Sequence, residues 1–171
     1  INGSGSFNGS SSSLDIESLD LIQNLIESFS FWFKNKFVFG FYDPSSASSS
    51  DRRRWFIDNS TTGSIKIQVN NDQYNYEQTG ITEDSDWHHL TVVNDGKIYL
   101  DGIQLTNTFN TSYWITGGTN GSSRDTIRIG SSDYIGTASS GFSLGSIDQI
   151  RLYNSTLSST DVTALYNETA A

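Results

Sequence analysis

Apolar and polar residues alternate through much of this chain, most plainly in two neighbouring runs. In SFSFWFK, Phe29, Phe31 and Phe33 alternate with Ser28, Ser30, Trp32 and Lys34, and in KFVFGFY the set Phe37, Phe39 and Phe41 does the same. A period of two places one set on each side of an extended backbone, so both runs are read as strands. Trp32 and Val38 interrupt the polar sets, which predicts that these strands are covered on both faces over part of their length. The segment WHHLTVVNDGKIYLDGIQL (87–105) adds three strands and two tight turns. Asn94-Asp95-Gly96 and Asp101-Gly102 supply residues that tolerate the positive φ such turns require. That is a β-meander.

Shorter alternations extend the set. Strands are expected around Phe7, around Leu14 and Ile16, in RRRWFID, SIKIQVN and QYNYEQT, and in TIRIG, GFSLG and SIDQIRLY. LDLIQNLI (19–26) has the spacing of a short helical turn. DPSSASSSD (43–51), opened by the only proline, reads as a loop inside the domain. Residues 105–124 read as a long, partly exposed connection. Ser158 precedes Asp161 by three residues, a capping-box-like start, and Val162, Leu165 and Tyr166 share one face of the helix it would open. The expected fold is all-β: a two-sheet antiparallel sandwich with a short C-terminal helix, in one domain spanning 1–171.

Composition narrows the function classes. A chain of 171 residues is long enough to bury roughly 70% of its unfolded surface, so a self-sufficient core is expected. The absence of cysteine excludes disulfides, thiolate metal sites and a cysteine nucleophile. A formal charge of −9 argues against a nucleic-acid partner, whose phosphates are met by Lys and Arg. The same charge suits either solubility or calcium, whose ligands are carboxylate and carbonyl oxygens. No run approaches the ~18 apolar residues of a membrane span, so no membrane insertion is expected. The chain starts at Ile1 rather than Met, as a mature or excised segment would, although a chosen boundary reads equally well.

The succession FNGSSSSLDI, SFSFWFK, WHHLTVVNDGKIYLDG, TIRIG and GSIDQIRLYNSTLSSTDVTALY resembles the laminin-G-like members of the concanavalin A-like lectin/glucanase superfamily. The resemblance covers nearly the whole chain, leaving 43–80 and 106–125 unmatched. It implies a jelly roll of two antiparallel sheets with loops at the rim and on the concave side. It also implies a carbohydrate-binding or adhesion module and, in many members, a structural calcium ion. Asp148 matches the position where an Asp of a late strand meets the N-terminal FNG turn, so the resemblance implies a metal set of Asp148, Asn8 and Ser10. The alternative is an Asp148 that hydrogen-bonds the turn without metal.

Catalytic chemistry finds little support. The superfamily's glucanases carry a strand-borne Glu-x-Asp-x-Glu pattern, absent here, and retaining glycoside hydrolysis needs two carboxylates about 5 Å apart. Glu83, Asp84 and Asp86 are the nearest cluster and read as a solvated loop. His88 and His89 are the only histidines; as strand neighbours they point to opposite faces and cannot act jointly. The resemblance makes Trp87 and His89 a packing pair. There is no GxSxG, HExxH or P-loop, so a non-enzyme is expected.

For a sugar, the useful chemistry is a ring face beside hydrogen-bonding groups. The candidates are Trp114 with Tyr113, Trp55 with Asp51 and Arg52, and the alternating Tyr74 and Tyr76, each with core or rim packing as its alternative. The run Arg52 to Arg54 offers itself to an anionic sugar or to a neighbour's carboxylates, or reads as a solvated loop. Asn2, Asn8, Asn59, Asn110, Asn120, Asn154 and Asn167 each open an N-x-S/T triplet, which favours an extracellular or cell-surface glycoprotein. The expected function is a non-catalytic extracellular recognition module that binds glycan or a surface protein and is stabilised by calcium. The alternative is a structural subunit of a filament, surface layer or virion that self-associates through its sheet edges.

Overall fold

A computed structural model describes residues 4–11, 13–16, 25–42, 54–59, 61–69, 73–81, 84–111, 114–115, 126–131 and 144–168. The side chains of 42, 54, 69 and 73–75 lie outside that description, as do the loop at 43–51 and most of the helical turn expected at 19–26. Among the described residues, strands run β1 (Gly5–Asn8), β2 (Leu14–Ile16), β3 (Ser28–Asn35), β4 (Val38–Tyr42), β5 (Arg54–Asp58) and β6 (Ser64–Val69). They continue with β7 (Gln73–Thr79), β8 (Trp87–Val93), β9 (Ile98–Leu100), β10 (Ile103–Gln104), β11 (Thr126–Ile129) and β12 (Leu144–Tyr153), followed by helix α1 (Ser159–Tyr166). They form two six-stranded sheets, β1-β12-β3-β8-β9-β10 and β2-β11-β4-β5-β6-β7.

Alternation decides which side chains meet between the sheets. Phe29, Phe31 and Phe33 of β3 face Phe39 and Phe41 of β4, with Trp55 and Ile57, Ile65 and Ile67, Leu90 and Val92, and Ile127 and Ile129 in the same core. The rings interlock: Phe29 and Phe31 each lie 5.1 Å from Phe39, and Trp55 meets Phe29 edge-on at 5.6 Å. Such offset and edge contacts add to the burial of the rings themselves.

The alternate residues also have cover, as Trp32 and Val38 foretold. On the outer face of the first sheet, Val93 and Tyr99 pack with Val162 of α1, and Tyr166 stacks on Trp32 at 5.8 Å. Ser158 caps that helix reciprocally: its hydroxyl accepts from the Asp161 N–H, and the Asp161 carboxylate accepts from the Ser158 N–H. On the outer face of the second sheet Val38 and Phe56 are buried together. Gly40 sits under them, and a Cβ there would come within 2.1 Å of the Phe56 ring.

Two expectations are corrected. Leu144 and Gly145, read as the end of a separate strand GFSLG, begin β12, which pairs with β3 and contains a bulge between Asp148 and Arg151; residues 141–143 lie outside the description. The connection after Leu105 is less exposed than its polar composition suggested. Phe109, Trp114 and Ile115 enter the core, with Phe109 and Trp114 stacked at 5.8 Å.

Candidate functional site

The end of β3, the start of β4, the end of β7 and the start of β8 lie at one end of the sandwich, because antiparallel partners bring those termini together. There the sheets part around a pocket of about 470 Å³. Its apolar wall is Phe33, Ile81, Leu100 and Leu144, of which Leu144 is 61% exposed. Its polar rim is Asn35, Lys36, Asp84, Ser85 and His88. A few polar groups around an apolar hollow are what small-molecule sites commonly show.

Asn59 builds the pocket from behind. Its carbonyl oxygen accepts from the Phe37 N–H at 2.6 Å, and its amide donates to the Asn35 carbonyl at 3.0 Å. This clamp holds the β3–β4 turn, where Asn35 takes a positive φ of 62°. The start of β12 presses on the same turn. A Cβ on Gly145 would lie 2.2 Å from the Lys34 carbonyl oxygen, so only glycine permits that approach.

His88 is held on both sides. Nδ1 lies 2.7 Å from Asp101 and Nε2 lies 2.9 Å from Asp84, while its ring rests 5.6 Å from that of Phe33. Burial pushes its pKa down, but the hydrogen bonds and charges of Asp101 and Asp84 outweigh that, and the net result is a raised value. Asp84 is lowered by the Asp86 N–H first and by His88 second. The second oxygen of Asp101 accepts from the His89 N–H at 2.8 Å. The His88 ring, with a carboxylate at each nitrogen, therefore pins the loop before β8 to the β9–β10 turn.

His89 points the other way, as strand geometry requires. It lies between Trp32 at 5.1 Å and Tyr166 at 6.4 Å, is 3% exposed, and has no partner for Nδ1. Burial pushes its pKa down to about 4.

The aromatic platforms expected from sequence are corrected by burial. Trp55 is 0% exposed at the centre of the core, Trp114 is 5% exposed and donates its indole N–H to the Ile26 carbonyl at 2.9 Å, and Tyr76 is 4% exposed. A ring with no solvent-facing surface cannot stack on a sugar. Burial likewise pushes the Tyr76 phenol up. Asp51, Arg52, Tyr113 and the side chain of Tyr74 lie outside the described residues.

The metal set does not converge. Asn8 pairs opposite Leu144, four residues along β12 from Asp148, which at about 3.3 Å per residue is about 13 Å. Asn8 Oδ1 instead accepts from the N–H groups of Ser10 and Ser11, and Asp148 Oδ1 from that of Gln149. Asp148 Oδ2 is buried without a hydrogen-bond partner, but one orphan oxygen lacks the several oxygens calcium demands. These three residues do not fit the ion as a set.

Among the sequons, Asn8, Asn110, Asn154 and Asn167 are exposed. Asn59 is 5% exposed with both ends of its amide engaged, so it is no acceptor in the folded chain. Asn2 and Asn120 lie outside the described residues. The clamp of Asp84, His88 and Asp101 was missed. The signal for it was the meander, since pairing Leu90 with Leu100 sets the Asp-Gly turn beside the two histidines.

The laminin-G-like family model, described as concanavalin A-like lectin/glucanases superfamily, matches residues 8–163. The chain belongs to this superfamily. No curated protein matches it in sequence. Among solved structures, this superfamily member is similar to the CBM40 of a Ruminococcus gnavus IT-sialidase, with 15% identity, TM-score 0.65, and coverage of 93% of this chain and 100% of that one. Domain 4 of AbnA, a GH43 extracellular arabinanase from Geobacillus stearothermophilus solved with arabinotriose, is 20% identical, with TM-score 0.66 and coverage of 96% and 76%. A Trypanosoma rangeli sialidase solved with sialic acid is 13% identical, with TM-score 0.71, over 97% of this chain and 28% of that one. These likenesses show a shared sandwich.

Proposed function

We propose that this domain is a non-catalytic carbohydrate-binding module and that its ligand enters the rim pocket. The observation that carries the reading is the pocket itself, an apolar wall with a hydrogen-bonding rim at the loop end of a lectin-type sandwich. The carbohydrate-binding modules among its structural neighbours support the same reading. Asp84 and Asp101 argue for binding over hydrolysis, because both are drawn onto one imidazole and do not stand as a free acid and nucleophile across an open cleft. An extracellular setting belongs to the proposal and is supported by the exposed sequons Asn8, Asn110, Asn154 and Asn167.

A printed glycan array probed with the intact domain tests it. Dose-dependent binding to a defined set of saccharides is expected, with no release of reducing sugar on prolonged incubation. A blank array, or measurable hydrolysis, would overturn the proposal.

A further inference from the structure

The charge arrangement in the rim pocket bears on which sugars it admits, an inference that rests on the glycan-binding reading above. A carboxylated sugar such as a sialic or uronic acid needs a cation aimed at it, and the guanidinium fork is the side chain best shaped for that task. Among the described residues lining the pocket there is no arginine; the cationic side chains are Lys36 and His88. His88 is already spent, with each ring nitrogen on a carboxylate, at 2.7 and 2.9 Å. In formal charge, Asp84 and the Asp101 behind His88 offset His88 and Lys36, and the exposed Asp86 donates its N–H to Asp84.

The described residues of the pocket therefore present no net positive charge, in a chain whose formal charge is −9. An incoming carboxylate would meet Asp84 at the mouth, with Lys36 the only cationic side chain of the described lining besides His88 to set against it, and a charge left short of partners pays a penalty that grows with burial. Sugar hydroxyls fare differently. They can donate to Asp84 and exchange hydrogen bonds with Ser85 and Asn35, while the apolar face of a ring lies on the half-buried Ile81 and Leu100 and the exposed Leu144. An ammonium on an amino sugar would gain from the same carboxylate. The volume of about 470 Å³ lies near the lower part of the ~300–1,000 Å³ range of small-molecule pockets, which suits a chain end better than a polymer.

We infer that the rim pocket selects an uncharged or amino-sugar terminus and rejects carboxylated sugars, with Asp84 as the discriminating group. Size-matched probes test this: titration calorimetry with oligosaccharides ending in glucose, galactose or glucosamine, each beside its counterpart ending in glucuronic or galacturonic acid. The uncharged or amino member of a bound pair is expected to bind at least tenfold more tightly, and Asp84→Asn to narrow that gap. Ser85→Trp, at an exposed loop position, should abolish binding while circular dichroism and the melting curve stay native. Equal or better binding of the uronic-acid member would overturn the inference. Binding undiminished by Ser85→Trp would overturn the pocket assignment and leave glycan binding itself intact. Silence from every probe and from the full array would instead remove the glycan-binding reading and this inference with it.

Discussion

His88 and His89 carry opposite pH dependences on adjacent positions of β8, because one is gripped by carboxylates and the other is buried among rings. Unfolded, each takes up a proton near the ordinary 6.5. Folded His89 resists protonation down to about 4, so its contribution to stability is intact above 6.5 and is lost as pH falls toward 4. Folded His88 has a raised pKa, so its contribution is fully present below 6.5 and is lost as pH rises from there through the raised folded value. Melting temperature plotted against pH should therefore slope away on both sides of about 6.5. His89→Phe is expected to flatten the acid limb and His88→Asn the alkaline one; a limb unchanged by its own variant would refute the assignment. Trp114 supplies a second residue-level test. Trp114→Phe keeps a ring but strands the Ile26 carbonyl, and a buried unmet acceptor costs about 1–3 kcal/mol, readable in a urea melt. Strand faces were legible at this scale, since Phe29, Phe31 and Phe33 declared theirs by alternation. The burial of Trp55, Trp114 and Tyr76 was not, because a ring reads the same in sequence whether it faces solvent or a second sheet.

At the scale of elements, α1 was legible because a capping box is a local device whose residues stand three apart. Its consequence reaches across the sheet. The helix covers Trp32, His89 and Val93, so its stability and the environment of His89 are coupled. Ser158→Ala should cost about 1 kcal/mol in urea unfolding and raise the His89 pKa toward its ordinary value in an NMR titration. A loss of stability with an unmoved His89 would show that the cap and the cover act independently. The meander was equally legible, with its turns where Gly96 and Gly102 take φ of 94° and 78°. The bulge in β12 was not. A bulge answers to the two strands on either side of it, here β1 and β3, and alternation along one strand holds no record of its neighbours.

Over the whole molecule, alternation tells which face a side chain occupies but not which strands lie side by side. The order β1-β12-β3-β8 brings the first and last strands together and draws Phe33, Asp84, His88, Leu100 and Leu144 to one mouth, which Asn59 closes from the other sheet. That convergence is invisible to any reading that moves along the chain, which is why the sandwich was foreseen and its pocket was not. The Asn59 clamp carries a practical lesson. An oligosaccharide-transferring enzyme acts on chains before they fold, and to it Asn59-Ser60-Thr61 is an open invitation. A sugar attached there could not enter the space behind the β3–β4 turn, so in a eukaryotic secretory host a share of the product is expected to misfold. Asn59→Asp, which keeps one acceptor and deletes the sequon, should raise the secreted yield; mass spectrometry finding a fully glycosylated Asn59 in correctly folded material would show that expectation to be mistaken.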